Sequence, residues 1–293
     1  MSVLDIFSPE TRAVPGASGP GFWRQFVRNR MALAGVAVIA SMTVISYLGP
    51  LFSQFGANHI DILHRFAPPL QNGHLLGTDE LGRDVLARLM DGGRISLAIG
   101  IISMVISVVI GTAIGMVAGY HGGFVGAALM RLVDAVMAFP TIFLVLALAL
   151  LVKPGIASTT VLIAATSWMG VARLVEGQYR AQRNAEYVAA ARTFGASGLR
   201  IMVIELLPNV AGAIIIMATL NIARAILLES YVSYLGYGIQ PPSASWGNML
   251  NNAQVYLSSA PWLAIVPGLA ITLTVTSFNF MGEGLRDILD PRS

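Results

Sequence analysis

Six apolar runs divide this chain, near residues 32–52, 96–119, 129–151, 158–175, 209–232 and 259–281. A helix needs roughly 20 residues to cross a hydrocarbon core of about 30 Å, and each run reaches or approaches that length. Lipid offers the backbone no water to bond, so apolar segments of this kind span as helices that satisfy their own N–H and C=O groups. The 293-residue chain therefore reads as an all-α integral membrane protein with six transmembrane helices. Composition agrees. With 55% hydrophobic residues, 11% charged residues and a mean hydropathy of +0.71, it cannot cover a water-soluble globule with polar surface.

The cations set an orientation. With both termini cytoplasmic, the inner segments hold Arg12, Arg24, Arg28, Arg30, Arg131, Arg173, Arg180, Arg183, Arg192, Arg200, Arg286 and Arg292. The outer segments hold Arg65, Arg83, Arg88, Arg94 and Lys153, a bias of twelve against five. Short loops obey the positive-inside rule, so the reverse orientation is rejected. Residues 1–30 carry Asp5, Glu10 and four arginines ahead of a run too long for a signal core. They are expected to remain as a cytoplasmic segment, with residues 1–20 poorly ordered. The sequence pI near 9.4 follows from this topology and requires no nucleic-acid partner.

Between the spans lie three informative loops, at 53–95, 176–208 and 233–258. In the first, Gly77-Thr78-Asp79-Glu80-Leu81-Gly82-Arg83-Asp84-Val85-Leu86 opens an amphipathic helix with Leu81, Val85, Leu86, Leu89 and Met90 on one face. Asp79 with Arg83, and Asp84 with Arg88, stand at i,i+4 with the acid first. In the second loop Tyr187, Ala190, Ala191 and Phe194 form an apolar stripe at helical spacing, and Gly195 suits the left-handed turn that ends a helix. A helix with small side chains and a sharp stop is fit to dock in a partner's groove. The third loop is punctuated by Gly236, Gly238, Pro241 and Pro242.

Within the spans, Gly111, Gly115 and Gly119 strip one face of side chains, which permits close helix approach in lipid. Arg131 and Asp134 are expected to pair, and Pro140 to kink the third span. Asn221, Arg224 and Glu229 interrupt the fifth span. Polar groups at that depth are costly unless paired or hydrated, so they are expected to face a pathway or a partner subunit. Arg224 and Glu229 are five residues apart, roughly 140° around a helix, which is poor placement for a mutual ion pair.

Specific strings carry a family resemblance. Glu186-Tyr187-Val188-x-Ala190-Ala191-Arg192-x-x-Gly195-Ala196-Ser197, closed by Leu207-Pro208-Asn209, resembles the cytoplasmic "EAA loop" of bacterial ABC-importer permeases. Aligned on Gly195 and Leu207-Pro208, the family's leading Glu falls on Ala189 and a later Ile on Glu205, so the motif is degenerate. His74-x-x-Gly-Thr-Asp-x-x-Gly-Arg-Asp with Gly93-Arg94-Ile95-Ser96-Leu97 resembles the C-type permeases of dipeptide and oligopeptide importers. So do Leu235-Gly236-Tyr237-Gly238-Ile239-Gln240-Pro241-Pro242, running on to Trp246-Gly247, and the ending Gly282-Glu283-Gly284-Leu285-Arg286-Asp287 with Asp290-Pro291.

The resemblance implies a type I ABC-importer permease fold, a permease domain over 31–293, and location in the bacterial inner membrane. It implies partners: a second, homologous permease subunit, two ATP-binding subunits, an extracytoplasmic substrate-binding protein, and lipid. Glu186, Tyr187, Ala190, Ala191, Arg192, Gly195, Ala196 and Ser197 would couple to the ATPase. Asp79, Arg83, Asp84, Gln240 and Trp246 would face the binding protein. Cargo would be a di- or oligopeptide, with nickel, glutathione and opines or oligosaccharides as alternatives carried by the same machinery.

Several chemistries are missing. The one lysine, Lys153, follows Val152, so no Gly-Lys phosphate loop exists and ATP hydrolysis is expected in another polypeptide. No H-E-x-x-H, no G-x-S-x-G, no cysteine and no acidic metal cluster is present, so neither a catalytic residue nor a metal nor a cofactor is expected. An uncoupled channel or secondary transporter would explain the spans but not the docking helix.

Overall fold

The computed structural model describes residues 26–251 and 253–289. Arg12, Arg24, Arg292, the Asp290-Pro291 ending and the order expected of residues 1–20 lie outside the described residues. Among those described, the chain is all-helical, with two isolated β-bridges and no strand.

α1 (Arg30–Leu48) and α2 (Val85–His121) are the first crossings. α2 is 37 residues long, or about 55 Å at 1.5 Å per residue. The loop helix and the second span expected from sequence are therefore one continuous helix that projects beyond the hydrocarbon. It starts only at Val85, because Asp84 adopts extended backbone and its carboxylate accepts the Ala87 N–H at 2.7 Å. At the other end of α1, Arg94 satisfies carbonyls that its last turn leaves open: Nε donates to Ser46 O at 2.8 Å and Nη2 to Tyr47 O at 2.7 Å.

The third apolar run is broken. α3 (Gly123–Met137) and α4 (Thr141–Ala149) meet at a 79° bend around Pro140. Proline has no N–H to donate, and its ring collides with the carbonyl four residues back. Among the described residues five helices are long and apolar enough to cross a membrane, and six crossings result if the bent pair is one span. Asp134 pairs with Arg173 rather than with Arg131, which corrects the expected local pair.

α5 (Ile156–Gln182) packs along α2. A Cβ built on Gly111 would come within 2.6 Å of Trp168 O, and one on Gly119 within 2.7 Å of Glu176 O. The glycine face seen in the sequence is thus filled by the α5 backbone. α6 (Glu186–Thr193) follows. A turn at Gly198–Arg200 and a π segment at Ile201–Leu206 then lead into α7 (Leu207–Tyr234). Pro208 cannot bond back by four residues, and the Leu207 N–H reaches Met202 O, five back.

α8 (Trp246–Met249) lies in the loop after α7, and α9 (Trp262–Leu289) completes the bundle. The Asn29 amide donates to Asp287 Oδ2 at 3.2 Å, so the start of α1 and the end of α9 share one end of the bundle. That end also carries the α2–α3 junction and α6, since the Arg192 guanidinium lies 5.6 Å from the Tyr120 ring centre.

Candidate functional site

Two surfaces at opposite ends of the bundle hold the residues singled out above. The first is α6 and its turn. Val188 is fully buried, anchored against Tyr179, Ile201 and Leu206 from α5 and the π segment. Tyr179 locks the same corner by donating from its hydroxyl to Met202 O at 2.9 Å. Ala191 and Ala196 also pack inward against this cluster, which corrects the expectation that Ala191 belongs to the outward stripe. A helix this short needs one face for its own anchorage, and the Val188–Ala191 spacing supplies it.

Outward, Glu186, Tyr187, Ala190, Arg192 and Ser197 are exposed, and Phe194 is 90% exposed. The helix stops in a Schellman arrangement. Gly195 has φ 78°, its N–H donates to Arg192 O at 2.9 Å, and the Ala196 N–H donates to Ala191 O at 3.0 Å. Ser197 then caps the next turn by accepting the Arg200 N–H at 3.4 Å. Tyr187 donates from its hydroxyl to Gln182 Oε1 at 2.9 Å. Burial first, and then the nearby Glu205 carboxylate, raise the Tyr187 phenol above its usual range, so it remains a neutral donor at physiological pH. The result is an apolar projection from a rigid base, bordered by Glu186 and Arg192.

The second surface is the cap at the other end. Here the sequence and the structure part. Asp79, Arg83, Asp84 and Trp246 are buried within the cap, whereas Gln240 is exposed. Asp79 accepts Arg83 Nε at 2.7 Å and the backbone N–H groups of Leu81 and Arg83 at 2.9 Å. Arg88 turns to Asp79 at 3.5 Å rather than to Asp84, and Asp84 pairs with His74 at 2.8 Å. Gly82, at φ 76°, lies so close to the Asp61 carbonyl that any Cβ would collide with it. These charges hold the loop in shape. Buried charges demand partners, and the chain supplies them internally.

Trp246 is likewise a fastening: its indole N–H donates to Leu89 O at 3.0 Å and its backbone N–H to Ser96 Oγ at 3.2 Å. Ser96 passes a hydrogen bond to Glu229 Oε2 at 2.8 Å, and Ser233 donates to Glu229 Oε1 at 2.8 Å. Glu229 is fully buried and Asn221 nearly so, which corrects their expected exposure to a path or partner. Sequence depth identifies them as polar residues of α7. Only the packing of α7 against α2 and the outer loop shows that they point inward. Arg224, on the other side of α7, is exposed. Sequence reasoning gave no anchoring role to Val188, Ser96, Ser233 or Arg173, because nothing local marks which side chain each will meet.

Comparison with known proteins completes the description. The family described as "Binding-protein-dependent transport system inner membrane component" matches residues 111–293, and the "N-terminal TM domain of oligopeptide transport permease C" matches residues 21–69. The chain is 41% identical to the dipeptide transport system permease protein DppC of Bacillus subtilis over 92% of its own length and 84% of that protein. It is 40% identical to the oligopeptide transport system permease protein OppC of Escherichia coli, over 92% of this chain and 89% of the relative. Among solved structures it is similar to a chain of the MetNI methionine ABC transporter in inward-facing conformations. That match has a TM-score of 0.57 and 17% identity, and covers 69% of this chain and 96% of the other.

Proposed function

Because this chain belongs to the family of binding-protein-dependent transport system inner membrane components, we propose that it forms half of the path by which an ATP-driven importer takes up di- or oligopeptides. The dipeptide and oligopeptide permeases to which it is similar support that cargo. In this reading the subunit performs no covalent chemistry. It pairs with a second permease in the bacterial inner membrane, receives cargo from a binding protein outside, and is driven by two ATPases inside. The end bearing α6 is cytoplasmic, in keeping with its arginines.

The observation that carries the coupling role is the exposure of Phe194 and Tyr187 on a helix whose opposite face is anchored by Val188. Phe194 and Tyr187 leave aromatic area uncovered on the outward face of α6, and a docked partner would bury it. A short helix seated in a groove converts closure of the ATPases into movement of the π segment and α7, which follow it directly in the chain. Gating is then a rigid-body transfer through packed helices.

The experiment is substitution on the outward face. Ala190→Trp should block entry to the groove, and Phe194→Glu should oppose burial, while the subunit still inserts and binds its companion permease. Co-purification of the ATPases and ATP-dependent peptide uptake in proteoliposomes should both fall at least tenfold, equivalent to about 1.4 kcal/mol of lost docking. Normal ATPase assembly in both variants would refute the docking surface.

A further inference from the structure

We infer that Arg224 is a carboxylate-recognition point on the translocation path, receiving the C-terminal carboxylate of a peptide as it passes. The inference rests on the peptide-import reading above. Arg224 is exposed, and among the described residues it forms no ion pair. It lies ten residues before the end of α7 at Tyr234 and seventeen after its start at Leu207. At 1.5 Å per residue that is about 15 Å and 25 Å of helix, well inside the hydrocarbon depth.

A guanidinium at that depth is expensive against lipid tails. Snorkelling gives little relief. The Cα–Cβ bond of a helical residue leans toward the helix N-terminus, away from the nearer end of α7. Among the described residues no acid neutralises it: Glu229 is fully buried and held by Ser96 and Ser233 on another side of the helix. The exposed stripe shared with Arg224 is Leu227, Tyr231 and Leu235, with no acidic residue. An exposed cation with no ion pair among the described residues, on an otherwise uncharged stripe, suits a surface that meets water and a transient anion.

The chemistry of the cargo supplies one. A free peptide carries a carboxylate that loses hydration on entering a narrow path, and a bare carboxylate in low dielectric is costly. A planar guanidinium replaces the lost water with two parallel charge-assisted hydrogen bonds. With no exposed acid on this stripe, the subunit would serve the carboxylate end of the peptide and leave the amino end to other surfaces.

The test uses the complete complex in proteoliposomes with binding protein and ATP. A peptide and its C-terminal amide are compared, both chosen for measurable wild-type uptake. Arg224→Lys, Arg224→Ala and Arg224→Glu should transport the free peptide in that descending order, with about a tenfold loss for alanine. Amide uptake should stay within about twofold, and binding-protein-stimulated ATP hydrolysis should persist. Equal losses for both cargoes would overturn the inference, as would loss of complex assembly with normal transport per assembled complex, which indicates a carboxylate on the partner permease. Failure of wild-type complex to move any peptide would instead overturn the peptide reading.

Discussion

Gly195 occupies a left-handed backbone conformation, and its N–H and that of Ala196 close the carbonyl end of α6. A β-branched side chain there costs about 1–2 kcal/mol of backbone strain. Gly195→Val should therefore loosen the turn that aims Phe194, without disturbing membrane insertion. ATPase affinity in detergent-solubilised complex should fall about tenfold. Unchanged affinity would show that the aim of Phe194 is set by other contacts. The same scale separates Ala190 from Ala191. They are adjacent and chemically identical, yet one faces outward and the other packs against the cluster that holds Val188.

At the scale of the helix, the contact between α2 and α5 depends on the absence of side chains along Gly111, Gly115 and Gly119. A Cβ on Gly115 would collide with Ala172 O and lie 2.8 Å from the Val175 Cβ, whereas one on Gly177 meets nothing within 4 Å. Both residues are in helices, so alanine has the same intrinsic advantage at each, up to about 1 kcal/mol. Gly177→Ala should thus be neutral or stabilising, while Gly115→Ala overpacks the contact and costs about 1–3 kcal/mol. The matched pair should diverge in thermal unfolding of the purified subunit, with Gly115→Ala lower by several degrees. Equal midpoints would mean that the helices part without cost.

For the whole molecule, the proposed orientation places α6 in the cytoplasm and the cap formed by residues 49–84 and 235–261 outside. The chain contains no cysteine, so single thiols report position without background. Gln240 and Ser197 are both exposed and lie on opposite ends of the bundle. In intact cells Gln240→Cys should react with an impermeant thiol reagent and Ser197→Cys should react only after permeabilisation. The opposite pattern would invert the topology and remove the basis for the ATPase surface.

The apolar runs, the cation bias, the glycine face, the helix stop at Gly195 and the proline break were all legible in sequence, because each depends on local chemistry: length of apolar chain, missing side chains, missing N–H groups. The burial of Asp79, Arg83, Asp84 and Trp246, and of Asn221 and Glu229, was not. A charged residue reads the same in sequence whether it meets a partner protein or its own chain. The choice falls to residues far away, as with Ser96 and Glu229, separated by 133 positions. Local sequence determined that α7 would carry polar groups into the membrane. Only the packing of α2, α7 and the outer loop decided that Glu229 and Asn221 turn inward while Arg224 stays exposed, because a helix has one rotation in the bundle and all its residues must accept it.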